Sequence, residues 1–151
     1  MSFASFANCA VDFAAPAETP EPPRMPQSPL TRLRTLCLAF PEAHEQEAWS
    51  EPTFRVRNKL FAMYASAANH HGDGRPAVWI KAARENQQFM IHSAPDRFFV
   101  PPYVGPSGWI GVWLDHTPNW REIRALLEDG YRRTAPKRLL AMHDVTIARA
   151  L

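Results

Sequence analysis

The segment TFRVRNKLFAMY, residues 53–64, decides the fold class of this chain. Before Asn58 the side chains alternate between apolar and basic, which predicts a strand with apolar side chains on one face and arginines on the other. Asn58 tolerates a positive φ and can form a tight turn, so residues 59–64 are expected to return as a second strand. The apolar face would hold Phe54 and Val56, and the basic face Arg55 and Arg57.

Further strands are predicted on both sides of this hairpin. Residues 66–76 are rich in glycine and read as a loop, after which residues 77–82 form a third strand. Residues 43–49 indicate a strand before the hairpin, and residues 108–114 indicate another after it. Residues 95–103 are aromatic but have no clear period, and we expect them to be irregular.

Helices are expected at both ends of the chain. Ser28 followed by Pro29 is typical of a helix start, and apolar residues recur at helical spacing as far as Phe40. The pair Thr117 and Pro118 repeats this signal before a second amphipathic helix, whose inner face would hold Trp120, Ile123, Leu127 and Tyr131. Shorter signals predict helices over residues 83–93 and 137–151. Helices around an antiparallel sheet define an α+β domain.

The composition indicates one globular domain preceded by a tail. Of the 151 residues, 46% are apolar and 21% are charged, which is ordinary for a folded protein. Six of the 15 prolines fall within the first 29 residues, and no apolar period accompanies them. We therefore expect a flexible Pro-rich tail over residues 1–27 and a domain over residues 28–151. Met25 is an alternative translation start to Met1.

The sequence favours a cytoplasmic protein. No apolar run approaches the ~18 residues that span a bilayer, and the N-terminal residues lack the basic region of a secretory signal. The two cysteines, Cys9 and Cys37, have no metal or redox spacing, and we do not expect a disulfide.

No local pattern predicts catalysis, a metal or a cofactor. Ser107 is not in a nucleophile elbow, the neighbours Asp115 and His116 give no triad geometry, and Cys37 lies on a core-facing helix position. The glycines match no phosphate-binding loop. Two groups of side chains have the chemistry of metal ligands, but they are better explained as a loop and as a solvated edge of the sheet. They are His70, His71 and Asp73, and the carboxylates Glu42, Glu45, Glu47 and Glu51.

Positive charge is concentrated around the hairpin. Residues 53–84 carry six basic and one acidic side chain, whereas residues 1–52 carry three basic and seven acidic ones. Arginines on a two-stranded ribbon can reach DNA phosphates or a groove. An exposed sheet face must also be polar without any ligand, so both interpretations remain open. The candidate contacts to nucleic acid are Arg55, Arg57, Lys59, Lys81 and Arg84.

Three segments together resemble the MmcQ/YjbR family of small bacterial proteins. They are EPTFRVRNKLFAMY (residues 51–64), RFFVPPYVGPSGWIGVWLD (97–115) and EDGYRRTAPKRLLA (128–141). The resemblance implies a CyaY-like fold with a double-wing arrangement of hairpins and a DNA-binding role. It adds Lys137 and Arg138, at the start of the last helix, to the candidate contacts.

This chain departs from the family in one position, and the fold raises one alternative. Relatives usually carry a basic residue in the Gly-Pro-x-Gly-Trp turn, where this chain has Ser107, so one expected phosphate contact is missing. CyaY-like folds are also similar to iron-binding frataxins. The first helix, however, carries Arg32 and Arg34 and no acid, unlike an acidic iron-binding ridge.

The alternative function is a small-ligand or protein-interaction domain that uses an aromatic cleft. Its candidate residues are Tyr103, Trp109 and Trp113. Rings that alternate with small residues on a strand are also typical of a packed core.

Overall fold

The computed structural model describes residues 25–69 and 74–151 of the chain. The tail predicted over residues 1–27 lies outside the described residues except for residues 25–27, which are exposed and have no regular secondary structure. Cys9, Met1 and the trio His70, His71 and Asp73 also lie outside the described part.

Four α-helices and six β-strands follow one another along the described chain, with a short 3-10 helix at Gly105–Ser107. The helices are α1 (Pro29–Leu38), α2 (Arg84–Ser93), α3 (Trp120–Thr134) and α4 (Lys137–Ala150). The strands are β1 (Ala43–Ala48), β2 (Glu51–Val56), β3 (Lys59–Ala65), β4 (Ala77–Ile80), β5 (Phe98–Phe99) and β6 (Ile110–Trp113). The strands form one antiparallel sheet in the order β1-β2-β3-β4-β6-β5. The predicted α+β class, with helices packed on an antiparallel sheet, is confirmed.

The main core lies between one face of the sheet and the helices. Alternate strand residues such as Val78 and Ile80 point into it and are fully buried. Helix α3 contributes Ile123, Leu127 and Tyr131, as its apolar spacing predicts, and α1 contributes Leu33 and Cys37. Trp120 is only partly buried against this core. The second face of the sheet carries a smaller cluster of Met63, Ala65, Ala77, Trp79 and Trp109.

The turn of the predicted hairpin starts one residue earlier than expected. Arg57 and Asn58 have φ values of 51° and 61°, and Val56 pairs with Lys59, so both are turn residues. A two-residue turn of the kind that suits the twist of a hairpin needs positive φ at both positions. The expectation that Arg57 shares a strand face with Arg55 is therefore wrong.

A β-bulge in β3 explains how two successive residues reach the core. Phe54 pairs with Ala62 and Arg55 pairs with Leu60, which leaves Phe61 as the extra residue between them. Phe61 and Ala62 are both fully buried in the main core, while Leu60 packs against the cluster on the other face.

One predicted helix start is confirmed and the other is displaced. The Ser28 hydroxyl accepts a hydrogen bond from the Thr31 N–H at 3.2 Å and caps α1. For α3 the capping residue is Asn119, whose side chain accepts from the Glu122 N–H at 3.2 Å, and not Thr117. Asn and Thr are both good capping residues. The prediction chose Thr117 because Pro118 follows it, but α3 begins two residues after this proline.

Strand β5 was not predicted, because its two residues are too few to display a period.

None of the helices in the described part of the chain has the length and apolar character needed to cross a membrane.

Candidate functional site

The basic residues singled out in the sequence lie at one end of the sheet. The hairpin turn closes β2 and β3 there, and the Lys81 N–H donates to the Phe61 carbonyl at 3.0 Å, which places the end of β4 beside the start of β3. Helix α3 passes the same point, since a Cβ on Gly130 would lie 2.9 Å from the Lys81 carbonyl oxygen. We call the seven predicted contacts at this end the basic end: Arg55, Arg57, Lys59, Lys81, Arg84, Lys137 and Arg138.

Glu42 links the hairpin turn to the start of α4. Its carboxylate oxygens lie 2.9 Å from Arg57 Nε and 2.8 Å from an Arg138 terminal nitrogen. The hydrogen bond from Arg138 and the charges of both arginines hold the pKa of Glu42 below its usual range. Glu42 has a φ of 55°, a backbone conformation that is unfavourable for a residue with a Cβ. The bridge is therefore maintained against local strain.

The remaining side chains of the basic end donate hydrogen bonds to neutral groups or to solvent. Arg55 donates to the Thr53 hydroxyl and the Asn58 carbonyl, and Arg84 donates to the Pro106 carbonyl at 2.6 Å. No ion pair is recorded for Lys59, Lys81 or Lys137 with any other described residue. Within residues 25–69 and 74–151, Glu42 is thus the single carboxylate that forms an ion pair with any member of the basic end.

A second candidate site lies on the face of the sheet that carries the smaller cluster. This aromatic groove has a volume of about 840 Å³ and crosses β3 and β4. It is lined by Trp49, Ser50, Glu51, Leu60, Met63, Ser66, Ala68, Asn69, Trp79, Tyr103, Val104 and Trp109. Two of the three residues predicted for an aromatic cleft, Tyr103 and Trp109, are therefore brought together.

Buried polar side chains hold the two walls of the aromatic groove. On one side, Glu51 Oε1 accepts from the Ser66 N–H at 3.0 Å and the Ser66 hydroxyl at 2.7 Å, which fixes the segment after β3 against the start of β2. On the other side, the buried Gln87 amide of α2 donates to the carbonyls of Gly105 and Trp109 at 2.9 and 2.5 Å. The loop that carries Tyr103 is thereby tied to α2.

Exposed aromatic rings stand at both rims of the groove on strained backbone. Trp49 and Tyr103 are 76% and 79% exposed, with φ values of 54° and 65°. Non-glycine residues in this region cost on the order of 1–3 kcal/mol each and are concentrated at binding and catalytic sites. Exposure and backbone strain therefore coincide in two aromatic residues that line this groove.

The third predicted cleft residue, Trp113, packs against the smaller cluster on this face but does not line the groove. Its ring stacks on Phe99 at 4.1 Å between centroids, and the Arg75 guanidinium lies 4.2 Å from the ring centroid. It lines a separate polar pocket of about 940 Å³ together with Asp115, whose carboxylate accepts two hydrogen bonds from Arg75 at 2.5 and 2.9 Å. These bonds lower the pKa of Asp115.

Cys37 is fully buried, and this burial raises the pKa of its thiol, which suppresses the reactive thiolate.

The four carboxylates considered as a cation site do not converge, since Glu45 pairs with Arg34 while Glu42 and Glu51 have the separate partners described above. Across the part of the chain that the structure describes, no three potential metal-binding side chains form a group.

Sequence reasoning missed three residues that shape these sites: Glu42, Trp49 and Gln87. In the sequence, Glu42 is one of several acidic residues that were interpreted as a solvated edge. Its role depends on contacts with Arg57 and Arg138, which are 15 and 96 positions further along the chain. Trp49 and Ser50 form a two-residue turn without the Asn or Gly that would signal one. For Trp49, which the prediction made the last residue of a strand, a large aromatic side chain at the strand end was the available signal.

The comparisons with known proteins identify the family. The YjbR family model matches residues 38–133, which is more than half of the chain, and the protein therefore belongs to the YjbR family. No curated protein sequence matches the chain.

Two solved structures have the same fold. A Deinococcus radiodurans protein with a DUF419 domain is 18% identical with a TM-score of 0.57, over 68% of this chain and 75% of that one. A Pseudomonas syringae protein is 17% identical with a TM-score of 0.56, over 70% of this chain and 97% of that one. At these identities the likeness concerns the fold alone.

Proposed function

We propose that the protein is a non-catalytic nucleic-acid-binding module that contacts phosphates through its basic end. The observation that carries this proposal is that, of the seven cationic side chains of the basic end, only Arg57 and Arg138 form an ion pair within the described part of the chain, and both do so with Glu42. Arginine and lysine side chains clustered on one surface provide most of the affinity for a phosphate backbone.

The Glu42 bridge supports this function because it orients two arginines and releases them easily. Arg57 and Arg138 are 52% and 60% exposed, and ion pairs at such exposure are weakened by solvent and contribute little to stability. A DNA phosphate offers the same charge-assisted hydrogen bonds as the carboxylate. Exchange of Glu42 for phosphate therefore costs little, while the guanidinium groups are already held close together.

A duplex titration by fluorescence anisotropy at two salt concentrations tests the proposal. Each phosphate contact should lower log K by about 0.9 per decade of salt. Lys137→Glu should weaken binding at least tenfold and reduce the slope, since Lys137 is exposed in the first turn of α4. Arg121→Glu makes the same charge change on an exposed residue of α3 outside the basic end, and should have little effect.

A further variant distinguishes a specific site from a general charge effect. Glu42→Gln removes the carboxylate that competes with phosphate and should strengthen binding. No detectable binding at low salt, or equal losses for Lys137→Glu and Arg121→Glu, would contradict the proposal.

The aromatic groove supports a second candidate function, the binding of a small ligand or a protein segment. The specific observation is the pair of exposed, strained rings of Trp49 and Tyr103 at its rims. A ligand of this groove should raise the melting temperature of the wild-type protein but not that of Tyr103→Ala. Equal shifts in both proteins would exclude the groove as the site.

A further inference from the structure

The lining of the aromatic groove carries a negative charge that no positive charge balances. Among the described residues, no arginine or lysine lines it, and its one charged residue is Glu51. Glu51 is 5% exposed and forms no ion pair within the described part of the chain, where its partners are neutral donors. A carboxylate that is removed from water is costly unless a cation faces it. A cationic occupant of the groove would supply the missing charge, whereas a phosphate would be repelled.

One oxygen of this carboxylate has no partner in the described part of the chain. Its Oε1 accepts from the Ser66 N–H, the Ser66 hydroxyl and the Asn69 amide, at 3.0, 2.7 and 3.4 Å. No described residue donates to Oε2. No buried side-chain oxygen of the described residues is sealed from solvent without a partner, so Oε2 must reach solvent. Since Glu51 lines the groove, this oxygen presents its charge to an occupant.

The aromatic side chains of the groove add a second attraction for a cation. Trp79 and Trp109 are nearly buried in its lining, and the more exposed rings of Trp49 and Tyr103 stand at its rims. The face of an aromatic ring carries negative partial charge and attracts a cation, most strongly when the ring is that of tryptophan. Aromatic rings grouped around a site are the feature by which proteins recognise alkylated ammonium ions.

The strand register places the carboxylate and the rings on one face of the sheet. Thr53 of β2 pairs with Met63 of β3, and Met63 pairs with Trp79 of β4. Glu51 lies two residues before Thr53 and therefore points to the same face. Neighbouring strands are about 4.8 Å apart, so β2 and β4 are separated by about 10 Å. An ammonium group above Met63 would lie between the carboxylate and the indole.

A metal ion or an unsubstituted ammonium ion fits this lining less well. Both are strongly hydrated, and several oxygen atoms must replace the water that they lose. No three potential metal-binding side chains form a group in the described part of the chain, and much of the groove is apolar, including Leu60, Met63 and Val104. Alkyl groups on the nitrogen would pack against these apolar side chains and reduce the cost of leaving water.

We propose that the aromatic groove binds a small organic cation whose ammonium group is alkylated, with that group held between Glu51 and the tryptophan rings. The proposal rests on the second candidate function above, and it names the chemical class of the ligand. The charge of Glu51 would select the ligand, and the rings would supply the contact area.

Choline and its neutral carbon analogue, dimethylbutanol, test the role of the charge. The two molecules have nearly the same shape, but a carbon atom replaces the choline nitrogen in the analogue. Choline chloride, added at constant chloride concentration, should shift the indole N–H signals of Trp49, Trp79 and Trp109 in the NMR spectrum. The signal of Trp120, which does not line the groove, serves as the internal reference. Dimethylbutanol should bind at least about tenfold more weakly.

Glu51→Gln removes the negative charge with little change of shape. It should weaken choline at least about tenfold and leave the affinity for dimethylbutanol unchanged, a difference that a general loss of structure would not produce. Glu47→Gln is the matched control. It makes the same charge change at an exposed residue of the neighbouring strand β1 that does not line the groove, and it should leave both affinities unchanged.

A rim variant avoids any change to a buried side chain. Trp49 is 76% exposed, and Trp49→Ala should weaken choline several-fold, as followed by the signals of Trp79 and Trp109. Phe89→Ala removes a 69% exposed ring of α2 that does not line the groove, and it should have no effect.

Three results would overturn the inference. They are equal affinities of the wild-type protein for choline and dimethylbutanol, an unchanged choline affinity in both Glu51→Gln and Trp49→Ala, and groove signals that choline does not move. The first result would leave the second candidate function in place, because the groove would still bind a small ligand. A failure of that function would instead be seen as equal melting-temperature shifts in the wild-type and Tyr103→Ala proteins.

Discussion

At the scale of single residues, Gly108 is a position where a side chain cannot be accommodated. Its φ is 93°, and an added Cβ would lie 2.9 Å from the Arg84 backbone nitrogen and 3.0 Å from the Ala82 carbonyl oxygen. Gly74 has a similar φ of 74°, but no atom of the described residues lies within 4 Å of an added Cβ. Comparing an alanine substitution at Gly74 with one at Gly108 therefore separates the cost of backbone strain from the cost of steric overlap.

We expect Gly74→Ala to lower the free energy of unfolding by about 1 kcal/mol, through strain alone. Gly108→Ala should cost more, about 2–4 kcal/mol, because the loop must also move away from α2. Urea denaturation measures both. Equal losses at the two positions would show that the close contacts at Gly108 relax without cost.

Asp115 makes a stabilising contribution that depends on pH. The hydrogen bonds from Arg75 lower its folded pKa below the unfolded value of about 3.9, so the ionised side chain favours the folded state. This contribution is complete above the unfolded pKa and is lost as the pH falls through the lower folded pKa.

Asp115→Asn should therefore destabilise the protein by on the order of 1 kcal/mol at pH 7, and the difference from wild type should disappear in strong acid. Urea titrations at a series of pH values measure this. A difference that stays constant down to the lowest pH would show that the Arg75 pair is not its source.

At the scale of elements, the start of α3 depends on Asn119. Its side-chain oxygen accepts the Glu122 N–H, which would otherwise have no helical partner. Asn119→Ala should cost about 1 kcal/mol in urea denaturation. Thr117→Ala should cost less, because the Thr117 side chain does not cap the helix, and the reverse order of the two losses would contradict this assignment.

The elements that the sequence predicted correctly have strong local signals. The cap of α1, the apolar face of α3 and the two strands around Asn58 are each encoded by neighbouring residues. Strand β5 and the turn of Trp49 depend on contacts across the sheet: Phe99 pairs with Gly111, and a Cβ on Gly111 would collide with its ring. Such contacts have no period or turn residue that a single sequence reveals.

The same distinction applies to the candidate sites. The basic end could be predicted in large part, because its hairpin residues are contiguous and the family resemblance added the start of α4. The aromatic groove could be predicted only through Tyr103 and Trp109, since the rest of its lining comes mostly from the β1–β2 turn, two strands and the segment after β3. Only the packing of the sheet brings Trp49 and Tyr103 to opposite rims of one surface.

At the scale of the whole molecule, the two faces of the sheet differ in how completely their side chains are buried. The face under the helices holds the larger core, and the face with the aromatic groove leaves large rings exposed. Leu127→Ala, at a fully buried position of α3, should therefore cost about 2–5 kcal/mol. Tyr103→Ala should cost less than about 1 kcal/mol in the same urea assay, and a loss equal to that of Leu127→Ala would make Tyr103 a structural residue.

The order of the strands in the sheet has a consequence for how the chain folds during synthesis. Strands β1 to β4 are neighbours in both sequence and space, so they can pair as soon as they leave the ribosome. The helix that covers their apolar face, α3, is synthesised only after the stretch from Ile80 to Trp120. During that interval Phe54 and Phe61 lack the part of the core that α3 contributes, and we expect the nascent chain to be most prone to aggregation at this stage.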